Sequence, residues 1–574
     1  MSTLVKRPEQ KELFGHPVGL YILFFTEMWE RFSYYGMRAI LVLYIASSLE
    51  DGGLGWTKVN ALVLYGWYTM FVYVMSIPGG IIADKVLGQK KTVLYGGIIL
   101  IAGHSILAIE TMWAFYSGLV LIILGVGMLK PNISTMVGGL YPQGDIRRDK
   151  GFTIFYIGIN VGAFLASLIV GYVGEKIGWH YGFGLAGIGM ALGMIVYYYG
   201  QKYLVHVGNY IGVSENKEER EELNRPLNSI EKDRVKVLLI SFLIIIVFWG
   251  AFEQAGGLLN IYAKEKINRL ILGWTMPASW FQSFNSFFII IFGTTVAGFW
   301  ATRKLKGKET STLFKMGLGT IIMGLGFLLM AFASKDASSI AYGTASFWWL
   351  VGAYFLHTIG ELCASPTALS FITKLAPLKY ASIMMGVYFA ATGLGNKLAG
   401  SIGEASQEEP IKIELATSKA ETMSFLGKRD TLLLNDKDFV VRTKAYLENN
   451  TLNLSEMESD KPALGLVRIL DLNKKKEIIN TLTENNAISN NPYHITLRFA
   501  KDFEAKKVKE NKGDGKNYNG KLIIEEVQSA REYKTFFSIF GLTLIFGLLI
   551  IALLKPLKRL THGAEDDEHV IETN

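Results

Sequence analysis

Apolar residues run through this chain in blocks of about twenty, each closed by charged residues or by glycine and proline, from near residue 17 to near residue 555. About 20 residues of helix span the ~30 Å apolar core of a bilayer, so each block is long enough to cross one. The pattern predicts helices near 17–48, 56–83, 91–111, 114–139, 151–173, 181–200, 236–262, 279–301, 311–333, 346–373, 380–404 and 533–555. They fall into two sets of six, parted by a polar stretch at 201–236 that holds Glu218, Glu219, Arg220, Glu221 and Glu222. The expected fold class is an all-α membrane protein with twelve transmembrane helices in two six-helix bundles.

One segment breaks the pattern. Residues 407–530 are rich in Lys, Glu and Asn and hold no run long enough to span, which predicts a small soluble insertion between helices 11 and 12. Leu466–Leu470, His494–Phe499 and Lys521–Ile524 have strand character, whereas Lys474–Asn485 has helical character, so an α+β unit is expected there. The expected organisation is a first bundle over 1–200, a cytoplasmic linker over 201–236 and helices seven to eleven over 237–406. The insertion at 407–530 and helix twelve with its tail at 531–574 complete it.

Composition agrees: half the residues are hydrophobic and only 19% are charged, too apolar for a soluble enzyme of 574 residues. The net charge of +8 does not mark a nucleic-acid binder, because the basic residues lie in short loops between apolar runs rather than on one polar face. One set of loops carries Lys85, Lys90, Lys91, Arg147, Arg148, Lys150, Arg303, Lys304, Lys306, Lys308, Lys374 and Lys379, about twice the charge of the opposite set. That bias predicts a cell (inner) membrane protein with both termini cytoplasmic. Met1–His16 is polar and charged without an apolar core, so no cleavable signal is expected, and Cys363, the single cysteine, has no internal disulfide partner.

The informative residues are charges inside the spans. Glu27, Glu30, Arg31, Tyr34, Tyr35 and Arg38 fall within about 140° of one another on the first helix, forming one polar stripe. Each buried charge costs on the order of 3 kcal/mol, so the stripe faces either an aqueous cavity or its own counter-charges, Glu27 to Arg31 being the simplest internal pair. Lys130, Glu253, Glu361 and Lys397 add isolated charges in helices four, seven, ten and eleven. Four acids (Glu27, Glu30, Glu253, Glu361) against three bases (Arg31, Arg38, Lys130) leave one excess negative charge, which one proton would neutralise.

Lys130-Pro131 and the stretch from Glu361 through Ser365 to Pro366 predict matching breaks in the fourth helix of each half, where carriers place substrate groups. The alternative, an ordinary proline kink for packing, would explain the prolines but not a charge beside each. The loop holding Gly80, Asp84, Lys85, Gly88 and Lys90 is either a topology determinant or a set of charges that bridges helix ends in one conformation and releases them in another.

Glu27, Glu30, Arg31, Phe32, Tyr34, Tyr35 and Gly36 match E-x-x-E-R-F-x-Y-Y-G, and this string resembles the proton-dependent oligopeptide transporter family of the major facilitator superfamily. The loop from Gly79 to Thr92, the stretch Phe152–Phe164, the triplet Phe252-Glu253-Gln254 and the run Trp280–Asn285 extend the resemblance through both halves.

The resemblance implies a major facilitator fold and import of di- and tripeptides coupled to protons, with no cofactor besides the proton as coupling ion. Glu27, Glu30, Arg31 and Glu253 would couple the proton. Arg31 and Lys130 would meet the peptide carboxylate, Glu361 its ammonium, and Asn160 and Asn285 its backbone. Tyr34, Tyr35, Arg38, Tyr73, Trp249, Ser365 and Tyr388 would complete the pocket. Arg38 with Glu253 would form the outer gate and Lys130 with Glu361 the inner one. Tyr388 stands where the family usually has tryptophan, the linker cannot supply the two extra helices of many bacterial members, and the insertion is not a usual family feature.

The expected partners are short peptides, protons and the lipid bilayer, with no nucleic acid, around a monomer, and an outer-face partner for the insertion. A carrier of another small anion, such as nitrate or a carboxylate, and a non-transporting peptide receptor are the alternatives. An enzyme is not expected: no metal-ligand spacing, nucleophile elbow or phosphate loop is present, and His104 and His357 read as packed helix residues.

Overall fold

Helix boundaries in the computed structural model follow local chemistry. The described residues are 11–49, 51–142, 145, 147–209, 226–339, 345–377, 381–407, 412–417, 440–448, 451–455, 493–499, 520–526 and 529–563. The chain divides into two units: Met1–Asp336 with Thr344–Gln407 and Tyr533–Asn574, and Ala337–Gly343 with Glu408–Glu532.

The first unit carries α1 (Val18–Ala46), α2 (Lys58–Val74), α3 (Gln89–Leu107), α4 (Met112–Gly139), α5 (Arg147–Tyr172) and α6 (Trp179–Gly200). After these come α7 (Ser229–Phe252), α8 (Ser283–Leu305), α9 (Thr312–Ser339), α10 (Phe347–Leu375), α11 (Ala381–Ser406) and α12 (Ser529–Ala552). α7 starts on a capping box: the Glu231 N–H donates to Asn228 Oδ1 at 2.8 Å, and the Asn228 N–H donates back to Glu231 Oε2 at 2.9 Å. Among the described residues, eight helical segments are long and apolar enough to cross a membrane. The helices outside that set carry ionisable residues: four charges in α1, Lys90 and Lys91 in the first turn and His104 in the last turn of α3, His357 and Glu361 in α10, and Lys397 in α11.

Two expectations are corrected. α4 continues through Pro131 and α10 through Pro366, so neither helix is interrupted. Proline removes one N–H and leaves one upstream carbonyl without its helical donor, which a long, packed helix tolerates. In α4 the next turn is also braced by side chains: Asn132 Nδ2 donates to Met128 O at 2.6 Å and Thr135 Oγ1 to Pro131 O at 2.9 Å.

The break falls instead in helix seven. α7 ends at Phe252, a single 3₁₀ turn spans Glu253–Ala255, Gly256 and Gly257 follow, and helix resumes at Leu258–Lys266. A second 3₁₀ turn, Ala278–Gln282, leads into α8. Widened final turns at Ala83–Leu87 and Val173–Ile177 close the helices before α3 and α6.

The two halves meet along two seams, α2 against α11 and α5 against α8, with Phe164 stacked on Phe287 in the second. Within the second half, Phe242, Ile245, Phe371, Ile372, Tyr388 and Ile550 form a buried apolar cluster that fixes α7, α10, α11 and α12. Short hairpins, β1 (Glu12–Leu13) with β2 (His16–Pro17) and β3 (Leu270–Ile271) with β4 (Trp274–Thr275), flank the helices.

The second unit is an antiparallel sheet of β5 (Lys412–Thr417), β6 (Val440–Glu448), β7 (Thr451–Ser455), β8 (Tyr493–Phe499) and β9 (Gly520–Glu526). Its order is β5-β9-β8-β6-β7, with Lys412 opposite Glu525 and Ile495 opposite Ile524. The strands expected at His494–Phe499 and Lys521–Ile524 fall in β8 and β9. The strand at Leu466–Leu470 and the helix at Lys474–Asn485 lie outside the described residues.

Candidate functional site

The polar stripe of α1 is buried, and most of its charges are satisfied within the helix. Arg31 Nε lies 2.8 Å from Glu27 Oε1 and 2.6 Å from Glu30 Oε2, so one guanidinium is clamped between two carboxylates. Arg31 Nη2 and Glu27 Oε2 are buried without a hydrogen-bond partner among the described residues, a costly condition for polar atoms. Tyr34 packs edge-on against Tyr35, and the Tyr35 ring lies 4.7 Å from the Arg38 guanidinium.

One turn further on, α1 reaches across to the second half. Arg38 Nη1 donates to both carboxylate oxygens of Glu253 at 3.1 Å, and Arg38 Nη2 donates to Gln282 Oε1 at 3.3 Å. The Tyr65 hydroxyl on α2 donates to Glu253 Oε1 as well. The break in helix seven turns Glu253 inward: the 3₁₀ turn and the two glycines let the backbone leave the helical path while Asn260 donates to Ala39 O at 2.7 Å. Arg38 and Glu253 are thus joined across the two halves.

Lys130 and Glu361 are not joined. The Lys130 ammonium sits 3.8 Å from the centre of the Tyr73 ring, a cation–π contact within the first half. Glu361 Oε2 accepts from Asn285 Nδ2 at 2.8 Å, and Asn285 Nδ2 also reaches Thr358 Oγ1 at 3.1 Å. Ser365 lies about one turn beyond Glu361 on α10 and is half-buried. Asn160 Nδ2 donates to Tyr156 O at 2.9 Å on its own helix. Trp249 packs edge-on to Phe248 and Phe252 and lies against the apolar cluster that includes Tyr388.

The loop motif is split. Gly80 belongs to the helical turn Ser76–Ile82, and Asp84 and Lys85 are exposed on the widened turn after it. Gly88 takes φ +75°, in the left-handed region that glycine adopts without strain. The Lys90 N–H donates to Gly208 O at 2.8 Å and Lys90 O accepts from the Tyr197 hydroxyl at 3.0 Å, tying the segment after α6 to the start of α3.

Sequence reasoning missed Tyr65 and Gln282. Tyr65 is a fully buried phenol in an apolar span, and such a group needs an acceptor, which is the one signal available beforehand. Gln282 lies within the Trp280–Asn285 run that was singled out, but its contact with Arg38 depends on how two distant helices meet.

Charged groups from both halves are therefore buried in the interior: Glu27 and Glu30 share Arg31, Arg38 meets Glu253, and Glu361 accepts from the neutral Asn285. Comparison with known proteins follows that picture. The sequence profile of the POT family matches residues 90–212 and 226–419. The peptide transporter YePEPT of Yersinia enterocolitica is 34% identical over 463 residues, covering 70% of this chain and 90% of that protein. A di-/tripeptide transporter of Lactococcus lactis subsp. cremoris is 35% identical, covering 68% and 90%.

Among solved structures, the peptide transporter POT in complex with sulfate superposes with a TM-score of 0.69 at 28% identity, covering 96% of this chain and 97% of that one. A POT family transporter in complex with 5-aminolevulinic acid gives a TM-score of 0.63 at 32% identity, covering 69% and 91%. With the profile running through both halves and relatives matched over two thirds of its length, the chain belongs to the POT family.

Proposed function

We propose that this protein is a proton-coupled symporter that imports di- and tripeptides by alternating access. It is a multi-pass protein of the cell membrane, with twelve transmembrane helices, cytoplasmic termini and a monomeric working unit. The observation that carries this reading is the placement of Arg31 and Lys130 on the first half and Glu361 with Asn285 on the second, with no ion pair between Lys130 and Glu361. A peptide zwitterion carries opposite charges at its two ends, and a site with separated cation and anion recognises those ends whatever the side chains between them.

The mechanism follows from the two gates. Arg38 and Glu253 hold the outer end closed, and protonation of Glu253 cancels the charge that binds Arg38 and releases it. Peptide then reaches Arg31, Lys130 and Glu361, with Tyr34, Tyr35, Tyr73, Trp249, Asn160, Asn285, Ser365 and Tyr388 around it. The Glu27–Glu30–Arg31 clamp relates peptide binding to proton uptake, since a carboxylate of the peptide competes for the same guanidinium. Lys130 pairs with Glu361 when the inner end closes. Asp84, Lys85 and Lys90 bridge inner helix ends in that form, and the 407–530 segment is an extracytoplasmic module that docks an outer-face partner.

The test is transport by the purified protein in liposomes, with an inward proton gradient, a negative interior and labelled dialanine. Accumulation that collapses with a protonophore is the expected result. Binding without accumulation would make the protein a receptor, and uptake of nitrate or a carboxylate in place of peptide would make it an anion carrier.

A further inference from the structure

At the outer end, one of the other contacts between the halves lies apart from the Arg38–Glu253 pair and converges on a single side chain that the transport reading leaves without a role. Glu175, in the widened turn that ends helix five, accepts three hydrogen bonds from the turn leading into α8. The Ala278 N–H donates to Oε2 at 2.9 Å, and the Ser279 N–H and Oγ–H donate to Oε1 at 2.8 and 2.6 Å. Trp280 Nε1 donates to Leu168 O at 2.9 Å, two turns back on α5.

Between these lies Gly171, where an added Cβ would stand 2.2 Å from Ser279 Oγ and 3.0 Å from Ser279 Cβ. A side chain at residue 171 would therefore push the Ser279 hydroxyl from its place on Glu175. Leu168, Gly171 and Glu175 form a strip shaped for residues 278–280, and the other end of the same turn is Gln282, the residue that receives Arg38.

We propose that Glu175 is an outer latch and a positioning residue for proton coupling, which seats the Ala278–Gln282 turn and thereby presents Gln282 to the Arg38–Glu253 pair. This rests on the reading of that pair as the outer gate. A charged acceptor for two backbone N–H groups and a hydroxyl is stronger than neutral hydrogen bonds of the same geometry. It also neutralises the free N–H groups at the start of a helical segment. The latch forms only when the halves close at this end, so it stabilises one conformer of the cycle without touching substrate.

The test uses the full-length protein in liposomes, spin-labelled at Leu49→Cys and Leu272→Cys in a Cys363→Ser background, positions that are exposed on the two halves. In the parent, short distances should dominate. Glu175→Ala should move the ratio of long to short distances by about tenfold, the effect of losing charge-assisted hydrogen bonds. Glu175→Gln keeps an Oε1 for both Ser279 donors and should move it less, about threefold. Gly171→Ala, with Glu175 intact, should shift the distances in the same direction.

In uptake assays kcat should fall about tenfold for Glu175→Ala while the equilibrium Kd for dialanine changes less than about twofold. Unchanged distances in both Glu175→Ala and Gly171→Ala would overturn the latch, as would a loss confined to Kd. If Glu175→Ala does not fold, Glu175→Gln and Gly171→Ala decide. If the parent moves no peptide, the transport reading fails by itself, and the distances still report on the latch.

Discussion

Glu253→Gln removes one negative charge from the point where the halves are tied and preserves the side chain's shape. In the parent, Arg38 Nη1 lies 3.1 Å from both oxygens of Glu253, and the two side chains are 9% and 4% exposed, so solvent screening is slight. Removing one partner of such a buried pair costs about 3–5 kcal/mol, because the remaining charge stays desolvated. Gln282 Oε1, at 3.3 Å, still accepts from Arg38, which argues for the lower figure, about 3 kcal/mol. At about 1.4 kcal/mol per factor of ten, the closed-outer form loses about a hundredfold in population relative to the open one.

An amide also takes up no proton near neutral pH, so under the proposed mechanism the variant loses the group through which the gradient acts on the gate. Gradient-driven accumulation of labelled dialanine in liposomes should vanish, while counterflow between equal peptide pools, which needs no net proton movement, should persist. Protonophore-sensitive accumulation by Glu253→Gln at the parent rate would refute the assignment of coupling to this pair.

Lys130→Ala removes a cation proposed to meet the peptide carboxylate and should weaken dialanine binding about ten- to a hundredfold, measured by titration calorimetry, as expected for a charged hydrogen bond worth about 1.5–3 kcal/mol. Tyr65→Phe deletes one donor to Glu253 and should lower gradient-driven kcat about three- to tenfold with KM little changed, read from initial rates over a range of peptide concentration. Replacing residues 408–528 by a short Gly/Ser linker should leave uptake within about twofold of the parent, since the charged interior lies outside that segment. Loss of peptide uptake in that deletion would tie the insertion to the transport cycle itself.

The charged interior was legible because a charge in an apolar span is conspicuous: Glu27, Glu30, Arg31, Arg38, Lys130, Glu253 and Glu361 all stand out against twenty-residue apolar runs. Helix positions were legible for the same reason, and α4 and α6 begin and end within two residues of expectation. Proline misled, because its local preference is to break a helix, whereas packed neighbours and side-chain donors such as Asn132 hold α4 intact. The break at Glu253–Gly257 escaped notice because the apolar pattern runs across it, and two adjacent glycines are common in membrane helices. Tyr65, Gln282 and Glu175 acquire meaning only from partners 188, 244 and 103 or 104 positions away, and such contacts leave no periodicity in a single chain.

The first and last strands of the second unit, β5 and β9, are neighbours, with Lys412 facing Glu525, so the polypeptide comes into this sheet and leaves it at one place. A flexible loop of about 120 residues between α11 and α12 would carry a closure cost, since each doubling of loop length adds about 0.6 kcal/mol and the step from a six-residue turn is more than four doublings, roughly 2.6 kcal/mol. Once β5 and β9 pair, that cost is met inside the sheet, and the bundle experiences little more than a tight connector between its last two helices. Strand pairing at the entry and exit of the sheet thus lets a long segment stand between two consecutive helices at the closure cost of a short one.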